Sequence, residues 1–220
     1  MKEAYFTAAT LRERAVEMLR DCRARTGIRF LPGQSALLVI DMQGYFLDRR
    51  SPAYIPAAPA IVRNVRALMD GFLARSRPII LTRHLDDGEG GGLMHAWWGT
   101  ALTRDDPGSE IISELSDPAA IVMEKSQYDA FYGTELEAVL QAAGVRQVVI
   151  TGVMTHLCCE TTARSAFVRG YAVFLPIDGC AAPAERMHRA TLTSASHGFA
   201  VPVLAETLLA ALGGGGHANR

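Results

Sequence analysis

The sequence predicts an α/β fold, a three-layer α-β-α domain built on a doubly wound, mainly parallel sheet of six strands. Three observations predict it: continuous apolar runs recur along the chain, helix-like segments lie between most of them, and several runs end in polar residues. A continuous apolar run is typical of a strand buried on both faces of a parallel sheet. Strands that alternate with helices form parallel crossover units. Ligands bind such sheets beyond the carboxyl ends of the strands, which is where the polar residues lie.

Each element follows from its local pattern. An amphipathic helix is predicted over about residues 7–25, because apolar residues recur there at helical spacing among many charges, until Gly27. The apolar runs predict strands at residues 35–42, 77–83, 119–125, 146–153, 171–178 and 199–205. Helices are predicted at about residues 58–75, 133–143, 157–169, 184–197 and 205–212.

The length of 220 residues fits one domain with at most a small appendage. We expect an N-terminal helix and linker over residues 1–30 and the main domain over residues 31–212. Residues 213–220 are predicted to form a disordered tail, since they are too rich in glycine to pack. Residues 84–109 form a long excursion with glycines and tryptophans, and a loop of that length in a compact domain is usually functional or mobile.

Composition excludes several classes of partner. Lys and Arg number 22 against 23 Asp and Glu, so no basic stripe predicts a nucleic-acid partner and no polybasic run predicts a membrane surface. The first twenty residues carry charges throughout and lack an apolar core, which excludes a signal peptide or a membrane span. The four cysteines are expected to be reduced thiols in a cytoplasmic protein.

Three residues at predicted strand ends could carry chemistry. Cys158 is expected in the first turn of a helix, where unpaired amides and the helix dipole favour a thiolate; the alternatives are a packing thiol and a metal ligand. Cys159, rotated about 100° away, is predicted to pack in the core. Asp41 could relay protons or instead serve as a cap or metal ligand. Lys125 could stabilise negative charge or instead extend to solvent.

These residues resemble those of a known family, the isochorismatase-like cysteine hydrolases. The resemblance runs from "ALLVIDMQGYFLD" (36–48) through "MEKSQYDAFYGTELEAVLQAAGVRQVVITGVMTHLCCETTARSAFVRGYAVFLPIDGCAA" (123–182). It implies an isochorismatase-like, Rossmann-type topology with Asp41, Lys125 and Cys158 as the catalytic residues. It also implies a cis peptide bond between Val153 and Met154 and an oxyanion hole formed by the amides of Met154 and Cys158. The implied reaction is cleavage of a small non-peptide amide through a thioester.

Two branches of the family remain as comparisons. Isochorismatases proper, which hydrolyse a vinyl ether without covalent catalysis, resemble this chain at Trp98–Gly99 and His156 but carry glycine at the position of Cys158. Vinyl ether hydrolysis is therefore the alternative activity. Nicotinamidases resemble it less, because their zinc site needs an acid and histidines that the segment after the first strand lacks. We therefore expect no metal and no cofactor.

Further residues are predicted to contact a small-molecule substrate, with plain packing or solvation as the alternative for each: Gln43, Phe46, His84, Trp98, Tyr128, Phe131 and His156. Trp97 and Trp98 could close the site or lie at a subunit interface. The resemblance implies a homo-oligomer, a dimer or a tetramer. A non-catalytic binding module is the alternative from a different class, and the complete set of Asp41, Lys125 and Cys158 argues against it.

Overall fold

The computed structural model describes residues 2–24, 27–86 and 92–214. A parallel sheet lies at its centre, with strands β1 Ser35–Ile40, β2 Ile79–His84, β3 Ile121–Lys125, β4 Gln147–Val153, β5 Ala172–Pro176, β6 Cys180–Ala181 and β7 Val201–Val203. The α-helices are α1 Leu11–Arg20, α2 Gly44–Leu47, α3 Ala58–Leu73, α4 Met94–Trp98, α5 Leu136–Ala142, α6 Glu160–Val168, α7 Glu185–Gly198 and α8 Ala205–Leu212. The predicted three-layer α/β class is confirmed, and residues 215–220 of the predicted tail lie outside the described residues.

The strand order is β3-β2-β1-β4-β5-β7, with every neighbouring pair parallel and the short β6 paired with β4. All six predicted strands are present, and β6 is an addition too short to leave a sequence pattern. Strands β1, β2 and β4 are buried along their whole length, as their unbroken apolar runs predict. The order changes direction between β1 and β4, which is the position where such sheets bind ligands.

Helices cover the sheet and form one hydrophobic core with it. Helix α3 contacts β1, β2, β4 and α8, while α6 contacts β5 and α7 contacts β7. The N-terminal helix α1 belongs to the same core, because its residues Leu11, Ala15 and Met18 are buried there. Among the described helices, none is long and apolar enough to cross a bilayer.

The predicted helix over 157–169 begins differently from the expectation. A π-helical turn, Thr155–Cys159, comes first, and α6 follows it. The predicted excursion 84–109 contains α4 and, later, a short 3₁₀ turn over Pro107–Ser109. The predicted amphipathic helix is shorter than expected, since α1 ends at Arg20.

Gly152 allows β1 and β4 to approach at the edge that carries the site. It pairs with Ile40 at φ +107°, and a Cβ added there would lie 2.1 Å from the carbonyl oxygen of Ile40. We expect Gly152→Ala to lower the free energy of unfolding by about 3 kcal/mol or more, since backbone must move and alanine disfavours this φ.

Gly144 offers a matched control, since its φ is +63° and an added Cβ would meet nothing within 4 Å. Gly144→Ala should cost only about 1–2 kcal/mol, the price of the left-handed conformation. Urea unfolding of both variants measures the difference. Equal losses would mean that the close approach to Ile40 is unimportant for stability.

Candidate active site

The candidate site lies at the carboxyl edge of the sheet. Asp41 follows β1 directly, Lys125 is the last residue of β3, and Cys158 lies in the turn after β4. The structure therefore brings the three predicted catalytic residues to one edge. The peptide bond between Val153 and Met154, just before this turn, is cis.

Lys125 connects the other two residues. Its Nζ lies 2.8 Å from Oδ2 of Asp41 and 3.5 Å from Sγ of Cys158, and it also donates to the carbonyl oxygen of Gln127 at 2.8 Å. Burial alone would lower the pKa of Lys125, but the negative charge of Asp41 and the hydrogen bonds to Asp41 and Cys158 together outweigh burial and raise it. Lys125 is therefore an ammonium ion at neutral pH. Because β2 lies between β3 and β1, the long side chain crosses the end of β2 to reach Asp41.

Asp41 is held from two sides. Its backbone has φ +50°, in the left-handed region that aspartate tolerates better than most residues. The hydroxyl of Thr82 on β2 accepts from the backbone N–H of Asp41 at 3.0 Å and donates to Oδ1 at 2.6 Å. The fully buried carboxylate thus has one oxygen toward Thr82 and the other toward the ammonium of Lys125, which supplies the partner that a buried charge requires.

The protonation of Cys158 differs from the sequence-based expectation of a thiolate. Burial raises the pKa of the Cys158 thiol to about 12, and the nearby charge of Lys125 only partly offsets this effect. The thiol is therefore protonated at neutral pH, because removal from water disfavours the anion more than the ammonium favours it. Cys158 also lies in the π-helical turn and not in the first turn of an α-helix. Its attack on a substrate would need a proton acceptor, and the Asp41 carboxylate interacts with the thiol.

Cys159 points away from this arrangement. It is fully buried, and its Sγ lies 3.9 Å from the carbonyl oxygen of Thr151 on β4. It is absent from the residues that line the cavity described next, unlike Cys158. The two adjacent thiols therefore face different surroundings, one a cavity and the other the core.

A cavity of about 340 Å³ opens in front of Cys158. Its lining is mainly apolar, and its larger apolar members are Phe46, Met94, Leu102, Met154, Leu157 and Met187. Such a cavity is of the size and character that small-molecule sites have. Both residues of the predicted oxyanion hole, Met154 and Cys158, lie in this lining.

Five of the predicted substrate-binding residues line the cavity: Phe46, His84, Trp98, Tyr128 and His156. The indole N–H of Trp98 donates to the hydroxyl of Tyr128 at 2.9 Å. This bond ties the excursion that carries Trp98 to the segment after β3. Trp97, by contrast, is 76% exposed and absent from the lining.

Two predicted substrate-binding residues do not line the cavity. Gln43 is fully buried, where its amide donates to the carbonyl oxygens of His84 and Ser109 and accepts from the N–H of His84. Phe131 stacks on Tyr171 and lies beneath the guanidinium of Arg169. Gln43 therefore positions the backbone around the site, and Phe131 packs elsewhere.

His84 and His156 bring neutral imidazoles to the cavity. Burial lowers the pKa of His84 to about 4, with a further contribution from the charge of Lys125, and burial also lowers the pKa of His156. The Nδ1 atom of each ring is buried without a hydrogen-bond partner among the described residues. Since buried polar atoms are rarely left unpaired, both atoms are candidates for contacts with a bound molecule.

The structure adds residues that the sequence did not single out. Lys2, Pro183 and Met187 line the cavity although they lie far along the chain from the predicted set, and Asp86 lines it two residues beyond His84. No local pattern distinguishes the first three, because only long-range packing brings them to the site. In the described part of the chain, no group of three or more His, Cys, Asp or Glu residues is placed to hold a metal ion.

The chain is similar to several known hydrolases and biosynthetic proteins. Nicotinamidase 3 of Arabidopsis thaliana is 38% identical over 171 residues, which cover 76% of this chain and 82% of that protein. Enterobactin synthase component B of Escherichia coli (strain K12) is 31% identical over 185 residues. The matched residues cover 83% of this chain and 65% of that protein.

Among solved structures, a cysteine hydrolase from Pseudomonas syringae pv. phaseolicola 1448A superposes with a TM-score of 0.80 at 27% identity, over 84% of this chain and 95% of that one. The family model described as "Isochorismatase domain" matches residues 35–207, which include Asp41, Lys125 and Cys158. The chain is therefore a hydrolase that belongs to the isochorismatase family.

Proposed function

We propose that the chain is a cysteine hydrolase that cleaves the C–N bond of a small, non-peptide amide through a thioester intermediate. One observation carries this proposal: the ammonium of Lys125 lies 2.8 Å from Asp41 and 3.5 Å from the thiol of Cys158, which lines the cavity. A thiol, a carboxylate and an ammonium in contact supply a nucleophile, a proton acceptor and a stabilising charge. A relative named as a nicotinamidase supports the amide class.

In the first step, Sγ of Cys158 attacks the carbonyl carbon of the amide while Asp41 accepts the thiol proton. This assignment fits the raised pKa of Cys158, because a thiol that stays protonated at rest needs a base as it reacts. The new S–C bond moves an electron pair onto the carbonyl oxygen. The amides of Met154 and Cys158, both in the cavity lining, are proposed to bind this oxyanion.

In the second step, Asp41 returns its proton to the amide nitrogen, the C–N bond breaks and the amine leaves. The enzyme then holds a thioester on Cys158. Asp41 next accepts a proton from water as the water oxygen attacks the thioester carbon. The C–S bond then breaks, the acid product leaves, and Asp41 returns its proton to Sγ of Cys158, which restores the thiol. Lys125 keeps its positive charge throughout and stabilises whichever neighbour is negative at each stage.

Vinyl ether hydrolysis of the isochorismatase type is the second candidate. It is favoured by His156, which the sequence shares with that branch by resemblance and which lines the cavity. That chemistry needs no nucleophile, so it would leave the thiol of Cys158 without a role. The amide proposal uses every member of the buried set.

A hydrolysis screen tests the proposal. The protein is incubated with nicotinamide and with small carbamoyl and ureido compounds, and ammonia release is measured; isochorismate is included, with pyruvate as the product measured. We expect ammonia release from at least one amide at a rate that saturates with substrate. The proposal would be contradicted if no amide were cleaved and the wild type and Cys158→Ala released pyruvate from isochorismate at equal rates. That result would support the second candidate.

A further inference from the structure

The N-terminal segment forms part of the cavity wall. The backbone N–H of Glu3 donates to the carbonyl oxygen of Pro183 at 2.7 Å, and the hydroxyl of Tyr5 accepts from the N–H of Ala182 at 2.8 Å. Tyr5 and Phe6 are buried, so the segment is anchored in the core and not loosely attached. It lies outside residues 35–207, the region that the family model matches. The family match therefore does not include this part of the cavity wall.

The segment brings a positive charge to the cavity. Lys2 lines it next to Pro52 and Pro183, and its Nζ donates to the carbonyl oxygen of Pro52 at 2.6 Å. A carbonyl is uncharged and occupies only one of the three N–H donors of an ammonium ion. No carboxylate in the described part of the chain forms an ion pair with Lys2, so its charge is not neutralised.

Lys2 differs in charge from the other polar residues that line the cavity. His84 and His156 are neutral at neutral pH, and the remaining charged residue in the lining is Asp86, which is buried after β2. Among the described residues that line the cavity, Lys2 is therefore the only cation at neutral pH. The nearby arginine Arg83 is committed to Ser109 and Glu110.

We infer that Lys2 binds an anionic group of the substrate, a carboxylate carried at the end opposite the amide that Cys158 attacks. The apolar lining between the two ends then receives the body of the molecule. This inference rests on the proposed amide hydrolysis, because it places the second group of that substrate.

Binding to a catalytically inactive protein tests the inference without turnover. Calorimetry with Cys158→Ala compares 3-carbamoylbenzoate, 4-carbamoylbenzoate and succinamate with the uncharged amides benzamide and butanamide. At least one carboxylate is expected to bind more tightly than its uncharged counterpart. Adding Lys2→Met should lower this preference by about two- to fivefold, the loss expected for one ion pair at an exposed lysine.

Two further variants serve as controls. Lys2→Arg keeps the charge and should retain most of the preference, while Arg49→Met removes a positive charge from an exposed residue outside the lining and should change nothing. Equal binding of charged and uncharged amides, or an equal weakening of both by Lys2→Met, would overturn the inference. Turnover by the wild type is measured separately. Carboxylates that bind through Lys2 but are not hydrolysed would defeat the proposed function alone, and amides hydrolysed without any preference for a carboxylate would defeat this inference alone.

Discussion

Replacing Cys158 with alanine is expected to lower kcat/KM for the amide substrate by at least about a thousandfold, the scale on which removal of a covalent nucleophile acts. The remaining groups cannot form the thioester, since no other thiol lines the described cavity. The fold should persist, because the change removes one sulfur atom next to a cavity and creates no unpaired charge. Steady-state kinetics and circular dichroism measure both effects.

Cys159→Ala is the matched control, since it removes the adjacent thiol from the core. It should cost about 1 kcal/mol of stability, typical of a small core truncation, and leave kcat/KM within a few-fold. Similar activity losses in the two variants would mean that the effect of Cys158→Ala reflects disturbed packing. Full activity in Cys158→Ala would refute the assignment of the nucleophile.

Replacing Lys125 with methionine is expected to cost about 3–5 kcal/mol of stability at neutral pH, because it leaves the carboxylate of Asp41 buried without a counter-charge. Both side chains are fully buried, so water cannot replace the missing ammonium. Activity should be lost as well, since the proposed mechanism uses this charge to stabilise its neighbours. Urea unfolding measures the free energy of unfolding of the variant.

The double variant Asp41→Asn with Lys125→Met separates a buried charge from lost packing. It removes both charges at nearly constant volume, so it should unfold at a higher urea concentration than Lys125→Met alone. If the double variant is no more stable than Lys125→Met, the unpaired carboxylate does not cause the loss of stability in the single variant. In that case the cost would come from the lost contacts of the lysine side chain.

Much of the fold could be predicted from the sequence, because a strand buried on both faces leaves an unbroken apolar run. The runs before Asp41 and before Met154 are of this kind, and both became central strands. The two-residue strand β6 could not be predicted, since its pairing with β4 depends on the whole sheet. The same reasoning placed Asp41, Lys125 and Cys158 at one edge, because parallel strands end on the same side.

The rest of the site depends on side-chain orientations and on contacts between distant segments, which the spacing of residues in the sequence does not reveal. Phe131 lies in a motif close to the site, yet its ring turns toward Tyr171. The raised pKa of Cys158 follows mainly from its burial, which a position along the chain does not reveal. Lys2 reaches the cavity because its segment contacts Ala182 and Pro183, which lie far along the sequence.

The reach of Lys125 across β2 has a consequence for assembly. The thiol, the carboxylate and the ammonium come from regions that are distant along the chain and meet only when β3, β2, β1 and β4 are all in register. Such non-local pairings form slowly compared with helices. During refolding, the recovery of enzyme activity therefore measures how fast the sheet is completed. The recovery of the circular dichroism signal of the helices measures earlier, local folding.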